Sequence, residues 1–302
     1  MNKLVKNILL VTCAVGVSSC SIVNYIIQKR ESGKFWCNER YLPEDINHFN
    51  DQELTIARNG YIYSFLGAIA LQDNSIDSKN HWFNLPDNIK EIYSDSKSSG
   101  FQGKTFLIFD KETKKPQKLV IAFAGTNEPK DWLANTQLSD EQFKQALNFY
   151  KESLQLDSVV RSGKLDKIVV TGYSLGGALA TYVGKNPEVK NQISEVWLFN
   201  PSPFSKTDYK QEQNFWFGAT RNDVLKKLRA STKGYMGLFK KNHIYDDQFL
   251  VRSNDIYAHS RWVVARNMLW TADFAYVKQD KNEKNPAYDL IQLSDFKACK
   301  KN

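Results

Sequence analysis

Residues 168–180 read Ile168-Val169-Val170-Thr171-Gly172-Tyr173-Ser174-Leu175-Gly176-Gly177-Ala178-Leu179-Ala180. Ile168 to Thr171 are all β-branched and suit a buried strand. Gly172 to Gly176 spell G-x-S-x-G, and Gly177 to Ala180 are small residues that suit a helix packed close to a sheet. Strand, tight turn and helix together give the pattern a mechanical sense. The turn holds the serine on a strained corner, with its hydroxyl clear of the sheet, and the glycines let strand and helix approach. Ser174 is therefore the candidate nucleophile. Without those flanks the same five residues would be only a glycine-rich turn.

Outward from this stretch, strand and helix signals alternate. Asp51 to Leu71 reads as a long helix with Ala57, Ile62, Phe65, Leu66 and Ile69 on a buried face. Residues 72–100 are polar and read as a loop with one short helix. Lys104 to Phe109 and Leu119 to Ala124 are strand candidates joined by a polar turn, a hairpin beside the main sheet. Asp131 to Asn135 starts a short helical segment, and Asp140 to Leu156 is an amphipathic helix, apolar at Phe143, Leu147, Tyr150 and Leu154. Ile193 to Phe199 is a second buried strand, ending at Asn200-Pro201-Ser202-Pro203. Phe249 to Val251 is a late strand candidate, and Ile256 to Leu269 reads as a helix with His259 near its start. The alternation points to an α/β fold with a central, mainly parallel sheet flanked by helices.

A serine hydroxyl needs a neighbouring base to become a nucleophile. The chain has 4 histidines: His48, His81, His243 and His259. The strand, turn and helix resemble the nucleophile corner of the α/β-hydrolases, and that resemblance implies acid and base later in the chain, in the order Ser, acid, His. That removes His48 and His81. His243 lies in a basic loop, KKNHIY, and reads as a surface residue, which leaves His259 as the candidate base. The acid should stand on a loop after the strand that follows residue 180. Asp208, Asp223, Asp246, Asp247 and Asp255 are candidates, and Asp223, in RND before Val224-Leu225, fits best. An oxyanion would need two donors. One is the backbone N–H of Leu175. The other is expected where LVIAFA ends in Gly125-Thr126, with Thr126 offering an N–H and a hydroxyl.

At 302 residues, with 42% hydrophobic and 25% charged residues, the chain is a globular one with ample core. No composition break, repeat or low-complexity tract divides it, so residues 51–302 are expected to form a single domain. Aromatic residues make up 13%, which suits an apolar ligand groove and an ordinary core equally. The formal net charge is +8, favouring an anionic surface. Because the basic residues are scattered and no nucleic-acid motif accompanies them, a membrane surface is the expected partner and nucleic acid is not. Oligomeric state is not legible.

Met1 to Asn7 is basic through Lys3 and Lys6, Ile8 to Val17 is apolar, and Ser18-Ser19-Cys20 follow. This is the layout of a secretory signal over residues 1–19. Val17-Ser18-Ser19-Cys20 resembles a bacterial lipobox, which implies lipidation (palmitate and related acyl chains) on Cys20. Residues 20–50 would then be a lipidated N-terminus and tether. Ser21 after that cysteine implies the outer membrane of a bacterial cell envelope. The competing readings are an uncleaved inner-membrane anchor, since residues 8–27 carry no charge, and plain cleaved export. With Cys13 in the leader and Cys20 lipidated, Cys37 and Cys299 remain as a possible disulfide in an oxidising compartment. No ligand spacing suggests a metal.

IAFAGT at 121–126, DWLAN at 131–135, VTGYSLGGALA at 170–180, FNPSPF at 199–204, NDVLKKL at 222–228 and AHS at 258–260 together resemble the class 3 lipases over roughly residues 50 to 270. The resemblance implies an α/β-hydrolase fold and hydrolysis of carboxylic esters of lipids without a cofactor. It implies Ser174, Asp223 and His259 as the triad, with Thr126 and Leu175 as oxyanion donors. The chain departs from the family at Tyr173, where His is common, and at Ala124, where Arg is. No amphipathic lid is evident after Thr126. Two alternatives stand beside a lipase or phospholipase A: an acyltransferase using the same acyl-enzyme, and a non-catalytic lipid-binding or partner-binding lipoprotein.

Overall fold

Seven strands lie side by side in chain order in the computed structural model. The structure describes residues 51–72, 82–125, 140–203, 214–220, 223, 225, 243–246, 259, 261–279 and 285–293. Strands β1 (Ile89–Ser96), β2 (Gln102–Phe109) and β3 (Pro116–Phe123) form an antiparallel meander. Strands β4 (Lys167–Tyr173), β5 (Glu195–Phe199), β6 (Phe215–Thr220) and β7 (His243–Asp246) continue the sheet parallel to β3. Between β3 and β5 the chain runs through helices α2 (Asp140–Gln155), α3 (Asp157–Ser162) and α4 (Leu175–Lys185). Because successive right-handed crossovers step the same way along the sheet, α2 and α4 fall on one face. The first helix, α1 (Asp51–Ile69), and the last two, α5 (Arg261–Gln279) and α6 (Pro286–Gln292), cover the other. The result is the α/β-hydrolase architecture, a mainly parallel mixed sheet with helices on both faces.

Alternation along the strands fills two cores. Val120, Ala122, Val169 and Trp197 point toward α1 and α5. Leu119, Ile121, Val170, Val196 and Leu198 point toward α2 and α4. Strands covered on both faces read as unbroken apolar runs, and this is why LVIAFA and the run before Gly172 were recognisable.

Three expectations need correction. Residues 72–100 hold β1, an edge strand. Its polar sequence, IKEIYSDS, has only Ile89 fully buried, so it lacks the apolar signature of an inner strand. His243 begins β7 and does not lie in a loop. The helix after His259 starts at Arg261 and runs ten residues past Leu269, to Gln279. Its apolar pattern breaks because Arg266, Asn267, Thr271 and Asp273 are buried in it. The Arg266 guanidinium lies 5.0 Å from the Trp270 ring and 5.6 Å from that of Phe83. Asp273 accepts from the side chain of Asn285, which also caps α6. β6 and α6 were not anticipated. The leader and tether, the segment 131–135, the strand expected at 249–251, and Cys20, Cys37, Thr126 and Cys299 lie outside the described residues. Among the described residues, no helix is long and apolar enough to cross a membrane.

Candidate active site

Ser174 sits between β4 and α4 with φ 54° and ψ −119°, a backbone conformation that a side chain seldom adopts and that stores strain. Two glycines make the corner possible. A Cβ on Gly172 would fall 2.1 Å from the Gly176 carbonyl oxygen, and one on Gly176 would fall 2.0 Å from that of Phe123. A side chain at Gly172 would push the first turn of α4 off the end of β4, and one at Gly176 would push it away from β3.

The elbow is braced from β5. The Ser174 N–H donates to the Phe199 carbonyl at 3.0 Å, and the Ser202 N–H donates to the Ser174 carbonyl at 2.9 Å. Asn200, at φ 40°, bends the chain between these contacts, and its N–H is held by Gly218 of β6 at 2.9 Å. The NPSP segment therefore fixes the serine from the side opposite β3. Nothing in the sequence marked Ser202 for that role.

Asp223 follows β6, and His259 lies two residues before α5. They are distant in sequence from Ser174, yet the three form one chain of hydrogen bonds. The Ser174 hydroxyl lies 2.8 Å from His259 Nε2, and His259 Nδ1 lies 2.5 Å from Asp223 Oδ1. A carboxylate only accepts, so Nδ1 carries the proton and Nε2 is left to accept from the serine. Asp223 Oδ1 also accepts from the Leu225 N–H at 3.2 Å, which pins the carboxylate from its own loop. Ser174, Asp223 and His259 are 2%, 3% and 0% exposed, so these contacts act in a medium where charge interactions are strong. The Tyr173 ring packs against the imidazole with centroids 5.2 Å apart and planes at 46°. In the sequence Tyr173 stands out only as a departure from a family pattern.

Leu175 is the first residue of α4, so its N–H has no acceptor within the helix. Gly125, after β3, lies against the serine: a Cβ there would be 3.1 Å from Ser174 Cβ. The chain thus approaches the nucleophile just before Thr126. Asp208, Asp247 and Asp255 lie outside the described residues, and Asp246 ends β7. The acid stands one strand later than expected because β6 intervenes.

Residues 82–193 match a phospholipase-like family, described as a Tle-like phospholipase domain. That stretch runs from the approach to β1 through α4, so it contains Ser174 but stops short of Asp223 and His259. No curated protein matches the chain. Among solved structures, the chain is similar to the Lip2 lipase from Yarrowia lipolytica, at 17% identity over 74% of this chain and 95% of that one, with a TM-score of 0.44. It is also similar to esterase B from Lactobacillus rhamnosis (13% identity, 78% and 100% covered, TM-score 0.40). An esterase from Pyrobaculum calidifontis is a third (13% identity, 79% and 96% covered, TM-score 0.36).

Proposed function

We propose that this protein is a serine hydrolase of carboxylic esters of lipids, of the phospholipase A or lipase type. The observation that carries the reading is the buried Ser174–His259–Asp223 hydrogen-bond chain at a strained strand-to-helix corner. The phospholipase-like match across the nucleophile supports lipid as the acyl source.

In this mechanism Ser174 Oγ attacks the ester carbonyl while His259 Nε2 takes its proton. Asp223 holds the imidazole by its Nδ1–H and stabilises the imidazolium that forms. The Leu175 N–H, and Thr126 from the other side, donate to the developing oxyanion. Collapse of the intermediate breaks the bond to the alcohol, which leaves with the proton from Nε2. Water then attacks the acyl-enzyme, giving up a proton to Nε2, and the fatty acid is released as Ser174 Oγ recovers it. Lipid on Cys20 and the basic net charge would keep the enzyme at a bacterial envelope membrane.

The test is a panel of triacylglycerol, phospholipid and lysophospholipid incubated with the parent protein and with Ser174→Ala. Fatty acid release by the parent alone, together with fluorophosphonate labelling that disappears in Ser174→Ala, is the expected result. Equal release by both proteins would sink the mechanism.

A further inference from the structure

β4 ends at Tyr173, one residue before the nucleophile. Side chains alternate along a strand, and Tyr173 falls with Val169 on the face that α1 and α5 cover. On that side its ring meets the imidazole of His259, which lies two residues before α5. The strand that leads into the serine therefore also carries a ring to the base. Ser174 and His259 belong to separate elements, and Tyr173 is a side-chain contact between the nucleophile's strand and the base.

The tyrosine ring is itself held in place. Tyr173 is in register with Phe199 of β5, which is buried on the same face. Trp197 stacks on Phe199 with centroids 6.1 Å apart and planes at 13°. On the side of β3, a Cβ on Gly125 would fall 3.4 Å from Tyr173 Cδ1, so the Gly125 backbone bounds that flank. Tyr173 is 6% exposed. A close-packed aromatic side chain on a strand end has little room to yield.

The base needs such a support. Its hydrogen bonds at Nδ1 and Nε2 act in the plane of the imidazole. Motion out of that plane bends them more than it stretches them, and meets little resistance until a neighbouring group is struck. The Tyr173 ring stands there, with centroids 5.2 Å apart and planes at 46°, a separation at which tilted aromatic rings touch. We propose that Tyr173 is a positioning residue for the general base. Its ring keeps Nε2 aimed at Ser174 Oγ while the proton is taken, and at the leaving alcohol oxygen while the same proton is given up. Because Tyr173 and Ser174 are consecutive, the base is aligned against the nucleophile's own strand. The proposal rests on the serine-hydrolase reading above and adds a residue to the same site.

The experiment measures kcat and KM on a soluble butyrate ester for the full chain, for Tyr173→Ala and for Tyr173→Phe. Each rate is divided by active enzyme, counted with a fluorophosphonate carried to complete labelling, so partial unfolding of a variant cancels. Tyr173→Ala removes the ring and is expected to lower kcat by about tenfold, with KM changed by less than about twofold. Tyr173→Phe restores the ring without the hydroxyl and is expected to recover most of that loss. A side chain serving stability alone would lower the count of active enzyme and leave kcat per active site at the parent value, and that result overturns the proposal. A Tyr173→Phe protein as slow as Tyr173→Ala overturns it too, by assigning the effect to the hydroxyl. So does a loss confined to KM, which would make Tyr173 a substrate contact. A parent that hydrolyses no ester, or hydrolysis that survives Ser174→Ala, instead overturns the reading beneath it.

Discussion

Asp223 Oδ1 is shared between the imidazole Nδ1–H and the Leu225 N–H, at 2.5 Å and 3.2 Å. Its role is separable from that of the serine by a change of one atom. Asn at 223 keeps the shape but removes the charge and can turn a donor toward Nδ1, which stabilises the wrong tautomer and leaves Nε2 protonated against the serine. In the proposed mechanism, Asp223→Asn should lower kcat on a soluble short-chain ester by about 10⁴-fold with little change in KM. The comparison is a steady-state assay of parent and variant, both shown to be folded by circular dichroism. A loss smaller than tenfold would assign the acid to another residue. His259 was reachable from the sequence because only two of four histidines follow Ser174. Asp223 was reachable through chain order and a short motif. The Tyr173 ring contact and the Ser202 brace were not, since each depends on a partner brought near only by the assembled sheet.

At the scale of elements, the parts with an unbroken apolar run or a clean period were legible: α1, α2, and strands β2 to β5. Those that failed share a physical cause. β1 has one face and one edge exposed, so its composition is that of a loop. β6, with FWFGAT, is a short buried run that periodicity alone cannot assign. α5 buries the charged and amide groups of Arg266, Asn267 and Asp273, which erases its amphipathic pattern. How closely α1 lies on the sheet also depends on contacts no pattern shows. Gly60 and Gly67 stand on the same helix, and Ala is the better helix former by about 1 kcal/mol. A Cβ on Gly67 would meet Thr171 Oγ1 at 3.6 Å, an ordinary contact, whereas one on Gly60 would come within 2.2 Å of the Trp197 ring. That ring cannot withdraw, being stacked on Trp216 at 5.1 Å and held at its Nε1 by Glu195 at 2.8 Å. The two substitutions should therefore have opposite signs. Urea unfolding should show Gly67→Ala more stable by up to about 1 kcal/mol, and Gly60→Ala less stable by about 2 kcal/mol. A stabilised Gly60→Ala would mean α1 sits farther from the sheet.

The candidate active site and Asp51, the first described residue, lie toward opposite ends of α1. The C-terminal end of α1 lies on the candidate site's side, where the Leu71 carbonyl accepts from Arg261, two residues beyond His259. Its first residue, Asp51, pairs with Lys278 near the far end of α5, at 3.0 Å. A helix of 19 residues spans about 28 Å, so the chain joins the domain about that far from Ser174. If Cys20 carries lipid, residues 21–50 must reach back along the domain for the catalytic edge to face the membrane that holds it. Thirty residues suffice in any conformation, from about 45 Å as a helix to about 100 Å fully extended. Ten residues would give only about 15 to 35 Å, too little to rise from the bilayer, clear the domain and turn. Deleting residues 26–45 should therefore leave hydrolysis of a soluble short-chain ester near the parent level. Fatty acid release from the membrane carrying the protein should fall by about tenfold, because reorientation is lost along with the high local concentration that tethering confers. The measurement is the ratio of the two activities in isolated envelopes, with a Cys20→Ser protein as the untethered reference. If the deletion leaves that ratio at the parent value, the site does not act on the anchoring membrane and its lipid must be presented from a facing bilayer.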